Sequence, residues 1–327
     1  MIVYEYPLNE RVRILMRLEN LADSLNELLR RGDALSHHYA LQTVFQIADV
    51  CEQRTDLKSE ILKELERYRQ TVLPYRNTEG LEQRVSELLA EIDQCYSRFN
   101  SQAGNLSAEL NQNEWLLSVR GRIQIPAGLC AFDHPSYFTW QHLSSEQRLR
   151  DMAHWLRPLE PVMACVRLLM RLLRDTEVAQ KVMTQEGVYQ QSLGANKNYQ
   201  LLRVSMQPNM QLIPSVSAHR LMITIRMMRR EGEKMLHAGN VQAGFERALC
   251  SENPCPLAAL LPARVSPTSP RASSPGSASM AGTICPGSKR TTPTAFGCPK
   301  SCCSKPRSPL CWPITSAFCR PSLLWPT

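Results

Sequence analysis

The composition of the chain changes abruptly near Cys250, and this break confines a folded core to the residues before it. Of the 22 prolines, 14 follow Cys250, as do seven of the 12 cysteines. The same segment carries eight basic residues and one acidic residue, Glu252. Its apolar residues follow no period, and its prolines oppose helices and central strands. We therefore expect a folded region at 1–250 and a disordered, basic tail at 251–327.

The tail has two interpretations. Its richness in Pro, Ser and Cys, with almost no acids, is that of a frame-shifted read-through. A genuine extension is the alternative. The tail carries a net charge of +7 and residues 1–250 a net charge of +1, so the pI near 8.9 describes the tail and is not a nucleic-acid signature of the whole chain.

Most of the folded region shows the apolar spacing of amphipathic helices. Asn9 follows a short predicted strand at 2–6 and is expected to cap the first helix, because its side chain can accept an unpaired backbone N–H. The pattern predicts helical parts at 9–115 and 145–183. In the second and third helices the predicted buried residues are Leu41, Val44, Phe45, Ala48, Leu57, Ile61, Leu65 and Tyr68.

Two stretches alternate with the period of strands. Residues 116–125 include the run from Val119 to Ile125, and residues 199–250 contain three alternating segments. These segments predict a small antiparallel sheet, closed by the strand at 2–6. The fold class is therefore α+β, a mainly helical domain with a small antiparallel β-sheet domain.

The sequence gives little support for catalysis or metal binding. It lacks a nucleophile elbow, a P-loop and a dinucleotide fingerprint, so we expect neither an enzyme nor a cofactor. Cys298 and Cys302 could form one zinc knuckle, but Cys311 and Cys319 are too widely spaced for the other. A nucleic-acid- or zinc-binding role of the Cys-rich tail is the alternative function. His37 and His38 would be a poor metal-chelating pair, because adjacent side chains on a helix diverge by about 100°. We interpret them as partly exposed histidines at a helix start.

Arginines stand at helical and strand spacings in the folded region. Arg13 and Arg17 are one turn apart on the first helix. Arg120 and Arg122 would share a face of the predicted strand, and Arg226 lies on the polar face of another. If the sheet packs beside the first helix, these side chains converge on a surface suited to carboxylates. Scattered, solvated arginines are the alternative interpretation.

An ordered series of segments resembles the ZapD family over roughly residues 1–250. The series comprises YPLNE at 6–10, LKSEILKELER at 57–67, IPAGLCAFD at 125–133, WQHL at 140–143, GVYQQ at 187–191, SAHR at 217–220 and FERALC at 245–250. No one segment is diagnostic alone, and the order gives the resemblance its specificity.

The resemblance implies a cell division factor without catalytic activity. It implies a homodimer that binds the C-terminal tail of FtsZ, bundles FtsZ protofilaments and promotes Z-ring assembly. Family binding surfaces are basic, and the positions here that match them are Arg13, Arg17, Arg120, Arg122, His142, Arg220 and Arg226. No specific nucleic acid is expected as a partner.

The chain shows no signal peptide and no apolar run of the roughly 18 residues that a spanning helix needs. We therefore expect no membrane insertion. The expected location is the cytoplasm, at the division site at midcell.

Overall fold

The computed structural model describes residues 1–102, 107–175, 179–194 and 198–251. The predicted tail beyond Ser251, with its zinc-knuckle cysteines, lies outside the described residues. The helices are α1 (Glu10–Arg31), α2 (Ala34–Gln53), α3 (Leu57–Val72), α4 (Glu82–Asn100), α5 (Ala108–Asn111), α6 (Glu114–Ile123), α7 (Pro135–Gln141), α8 (Ser145–Leu156) and α9 (Glu160–Arg174). The strands are β1 (Ile2–Pro7), β2 (Gln180–Met183), β3 (Val188–Ser192), β4 (Tyr199–Met206), β5 (Ile213–His219), β6 (Met222–Glu231), β7 (Lys234–His237) and β8 (Gly244–Ser251).

The first helix begins and ends where its flanking residues dictate. The Asn9 side chain accepts a hydrogen bond from the Val12 backbone N–H at 2.8 Å, which confirms the predicted cap. At the other end Gly32 adopts a left-handed conformation with φ of 74°. Asp33 then caps α2 by accepting from the Ser36 backbone N–H. The short connection places α2 against α1.

The helical core forms from the predicted stripes. All eight residues predicted as buried in α2 and α3 are buried. The centre of this core is α9, which packs against α1, α3 and α4 and buries nine of its 15 residues. Its exposed residues, Glu160, Arg167 and Arg171, lie along one stripe, and the rest of the surface of α9 is largely apolar and buried.

The first sheet has the strand order β1-β4-β8-β2, and every neighbouring pair is antiparallel. Strand β1 pairs along its length with β4, so the predicted closure by the N-terminal strand is confirmed. On one face of this sheet, Leu201 and Cys250 lie opposite each other and belong to the helical core. The other face, with Leu202, Val204 and Leu249, packs in a second core.

The second sheet has the order β3-β6-β5, with β7 also paired to β6. Ile223, Ile225 and Met227 of β6 are buried in the second core, against Leu202 and Val204 of the first sheet. The fold therefore has three layers: helices, first sheet and second sheet. The fold class is confirmed as mainly helical with antiparallel strands, although the strands form two sheets rather than one.

The predicted strand at 116–125 is wrong, because residues 114–123 form α6. The alternation that suggested a strand overlaps a helical spacing, in which Leu116 and Val119 are both buried. Asn113 caps this helix by accepting from the Leu116 backbone N–H at 3.0 Å. The Asn113 cap and the buried pair, three residues apart, favour a helix over the strand that the alternation suggested.

The predicted helical part at 145–183 extends too far. Helix α9 ends at Arg174, and residues 180–183 form β2, which pairs with β8. The sequence also gave no prediction for β3, which pairs with β6. Both strands are short and depend on partners distant in sequence, so local spacing does not reveal them.

Candidate functional site

A groove of about 600 Å³ lies between α1 and α2. One face of α1 supplies residues at i, i+3, i+4, i+7 and i+8, which are Arg13, Met16, Arg17, Asn20 and Leu21. The facing residues of α2 are Gln46, Asp49 and Val50. Half-buried apolar side chains therefore meet polar and charged ones in a single open groove.

The two predicted arginines of α1 differ in their ion pairing. Arg17 is exposed and has no ion pair within the described ranges. Arg13 contacts Glu10 at 3.2 Å, one turn away, where both side chains are about half exposed. An exposed i, i+3 pair contributes only a few tenths of a kcal/mol, roughly, so it does not prevent Arg13 from contacting a ligand.

Arg120 reaches the α2 side of the groove from α6, where it is held by acidic residues. It forms ion pairs with Asp49 and with Glu52, the latter at 2.9 Å, and donates to Asn111 Oδ1 at 3.0 Å. The hydrogen bond from Arg120 is the main cause that lowers the pKa of Glu52 to about 2. Arg120 is therefore committed to joining α2 and α6, with little capacity left for a partner.

Arg122 and Arg120 do not share a face, contrary to the prediction from a strand. On a helix, residues two apart point about 200° around the axis from each other. Arg122 instead lies 3.7 Å from Asp133, and both side chains are more than 40% exposed. This is a weak surface pair.

His142 caps the end of α7 and is exposed. Its Nδ1 lies 2.8 Å from the Phe138 carbonyl oxygen, so Nδ1–H is the donor. The His142 and Phe138 rings are 4.4 Å apart between centroids. The structure gives His142 no contact with any of the predicted arginines among the described residues.

Arg220 and Arg226 lie on the second sheet. Arg226 points away from the second core, between Val188 of β3 and Ser215 of β5, and Arg220 lies in the turn that joins β5 to β6. Both are exposed and lack an ion pair in the part of the chain that the structure describes. Because the first sheet stands between them and the helices, they do not converge with Arg17 within one chain.

Sequence reasoning missed the apolar floor of the groove and its α2 wall. Met16 and Leu21 follow Arg13 and Arg17 at helical spacing, so the sequence indicates that apolar and basic side chains share this face of α1. The contribution of Asp49 depends on how α2 packs against α1, and no local signal marks it. The structure thus places two predicted residues, Arg13 and Arg17, in the groove, and a third, Arg120, contacts Asp49 of its α2 wall.

The described ranges offer little for a metal ion or a membrane. They contain no group of three or more His, Cys, Asp or Glu side chains that could hold a metal. None of the described helices is long and apolar enough to cross a bilayer.

Comparison with protein families gives a match over most of the folded region. The model of the ZapD family, described as a cell division protein, matches residues 16–226. The match includes most of the groove, strands β2 to β5 with the start of β6, and six of the seven predicted binding residues, with Arg13 just outside it. It spans more than half of the chain and agrees with the ordered segments noted in the sequence. The chain belongs to the ZapD family of cell division proteins.

Proposed function

We propose that this chain binds FtsZ directly through the FtsZ C-terminal tail and, as a homodimer, cross-links and bundles FtsZ protofilaments in the Z-ring. It would act in the cytoplasm at midcell. The role requires no catalysis by this chain, since its contribution is a binding surface and the geometry of the dimer.

The observation that carries the proposal is the groove between α1 and α2. Arg17 is exposed there without an ion pair among the described residues, and the floor beneath it is apolar. An extended peptide with acidic and apolar side chains can use both features, since guanidinium binds carboxylates bidentately and the floor removes apolar area from water. Asn20 and Gln46 add groups that can pair with a peptide backbone.

Bundling requires two binding surfaces on one particle. A homodimer presents each groove twice, and binding to one filament raises the effective concentration of the second groove near a neighbouring filament. The exposed Arg220 and Arg226 form a separate basic surface on the second sheet, which we assign to a second contact with FtsZ. Reduced GTP turnover by FtsZ would follow from filament stabilisation.

The proposal is tested by co-sedimentation of the full-length chain with GTP-assembled FtsZ. We expect Arg17→Glu and Arg226→Glu each to reduce the amount of bundled FtsZ several-fold. Arg150→Glu is the matched control, because Arg150 is an exposed arginine of α8 that lacks an ion pair within the described ranges and lies outside both surfaces. Salt should weaken bundling, since charges are screened over roughly 8–10 Å at physiological ionic strength. If wild type fails to bundle FtsZ, the proposed function is wrong.

A further inference from the structure

A second groove, of about 400 Å³, lies between α4 and α9 on the helical side of the molecule. Its rim carries Arg98, Arg167 and Arg171, and Glu91 is its acidic residue. Cys95 of α4 lines the groove between these charges and is half-buried. None of these residues belongs to the groove proposed for FtsZ.

Cys95 is paired with a second thiol from the facing helix. Cys165 of α9 is fully buried, and its thiol lies 3.6 Å from the Cys95 carbonyl oxygen, to which it donates. Hydrogen bonding by the Cys165 side chain is the main cause that lowers the pKa of Cys95 to about 7. The pKa of Cys165 is raised, by that same interaction and by burial. Cys95 is therefore the thiol that ionises first, and Cys165 remains its donor.

The arginines give the groove a positive rim. Arg171 is paired with Glu91 at 2.5 Å, whereas Arg98 and Glu160 are 3.9 Å apart and both more than half exposed. Arg167 is exposed and has no ion pair in the described part of the chain. An incoming anion would meet Arg167 and Arg98 beside the sulfur of Cys95, which favours its approach.

We propose that Cys95 is a modification site for anionic low-molecular-weight disulfides, which the arginines of this groove attract. In the reaction the Cys95 thiolate attacks one sulfur of the disulfide. A new bond forms between the Cys95 sulfur and that sulfur, the original S–S bond breaks, and the other half leaves as a thiolate. Cys95 is oxidised to a mixed disulfide, and the reagent supplies the oxidising equivalent.

The chain contains an internal comparison in Cys130. That thiol is also half-buried, but it donates to Asp133 Oδ2 at 3.3 Å. The carboxylate beside this thiol repels an anionic reagent. Cys95 and Cys130 lie in separate tryptic peptides, 85–98 and 123–148, each with a single cysteine. Mass spectrometry therefore measures both rates in the full-length protein, independently of the tail cysteines.

The test compares the dianionic disulfide of thionitrobenzoate with the neutral disulfide of thiopyridine, near pH 7. We expect the anionic reagent to modify Cys95 about tenfold faster than Cys130. For the neutral reagent, the ratio of the Cys95 rate to the Cys130 rate should be several-fold smaller. Arg167→Gln should lower the rate at which the anionic reagent modifies Cys95 about threefold and leave the rate of the neutral reagent unchanged. Arg150→Gln should change neither rate. Cys165→Ala should slow the modification of Cys95 near pH 7. Above pH 9 it should have little effect on that rate, because the Cys95 thiolate forms there without a hydrogen bond from Cys165.

The outcomes that would overturn the proposal are distinct from one another. If both reagents show the same ratio of Cys95 to Cys130, exposure alone controls the reaction. If Arg167→Gln changes the rates of both reagents at Cys95 equally, the arginine affects the local structure and does not attract the anion. If Cys95 reacts with neither reagent, the groove does not admit a disulfide.

Discussion

Arg148 is a buried arginine whose described partners are neutral. It is 5% exposed, and its Nε donates to His37 Nδ1 at 3.0 Å. Its terminal nitrogens donate to the carbonyl oxygens of Gly32, Gln141 and Leu143. The interaction joins the end of α1 to α2, α7 and α8. His37 is fully buried, so the expectation of a partly exposed histidine is wrong at this position, although it is right for His38.

The His37–Arg148 contact predicts a loss of stability in mild acid. Burial first, and then the Arg148 charge, lower the pKa of His37, so the folded state keeps this imidazole neutral. An unfolded histidine takes up a proton below about pH 6.5. The stabilisation is therefore complete above about pH 6.5 and falls as the pH drops toward the folded-state pKa, by at most about 1.4 kcal/mol per pH unit for each such histidine.

Urea unfolding near pH 7 and near pH 5.5 measures this effect. His37→Gln can still accept from Arg148 and cannot titrate, so it should lose less stability between the two pH values than wild type. Some loss remains, because burial also lowers the pKa of His38. His154→Gln, at an exposed position of α8, should behave as wild type. An unchanged pH dependence in His37→Gln would contradict the role of this histidine.

Two glycines with positive φ provide a matched pair for backbone strain. Gly187 has φ of 72°, and an added Cβ would lie 2.1 Å from the Ala238 carbonyl oxygen. Gly232 has φ of 61°, and nothing lies within 4 Å of its added Cβ. We expect Gly232→Ala to cost about 1 kcal/mol in unfolding free energy and Gly187→Ala to cost at least about 2 kcal/mol more. Equal costs in urea unfolding would show that the contact with Ala238 is relieved without penalty.

At the scale of elements, the sequence predicts those structures that their own residues determine. Helices α1 and α2 are confirmed because a side-chain cap and a complete apolar stripe agree at each of them. Helix α3 has no side-chain cap at its N-terminus and is confirmed by its apolar stripe. The segment that became α6 was misread, since its ten residues fit both periods until the cap and burial are known. Strands β2 and β3 depend on β8 and β6, and therefore no local pattern predicts them.

An ion network joins the helices to the first sheet and predicts a large effect of one arginine. Arg174 of α9 contacts Glu5 of β1 at 2.8 Å and Glu19 of α1 at 2.5 Å. Glu5 is also paired with Arg203 of β4 at 3.0 Å, whereas Glu19 depends on Arg174. Both carboxylates are about 15% exposed, so removing Arg174 would leave Glu19 largely buried without its cation.

We expect Arg174→Ala to lower the unfolding free energy by about 2–4 kcal/mol. Arg171→Ala is the control, because its pair with Glu91 is about half exposed and should contribute less than about 1 kcal/mol. Urea unfolding of both variants measures the difference. If the two variants are equally stable, the network does not hold the sheet to the helices.

At the scale of the whole molecule, layer order decides which arginines act together. The sequence leaves two interpretations open: the strand arginines converge with those of the first helix if the sheet packs beside it, or the arginines are scattered and solvated. The first sheet lies between the helices and the strand that carries Arg226. Arg203, on the helical face of the first sheet, is paired with Glu5. Pairing between β1 and β4, about 200 residues apart, sets this arrangement, and no local spacing reports it.

The groove between α1 and α2 is the central element of the proposed function, and peptide binding tests it most directly. The measurement is the dissociation constant of a fluorescent FtsZ C-terminal peptide for the full-length wild type, Arg17→Glu and Arg150→Glu. We expect Arg17→Glu to weaken binding at least about tenfold and Arg150→Glu to stay within about twofold of wild type, with weaker binding as salt rises. Equal dissociation constants for the three proteins would contradict the groove as the docking site. An absence of peptide binding by wild type would contradict direct recognition of the FtsZ tail.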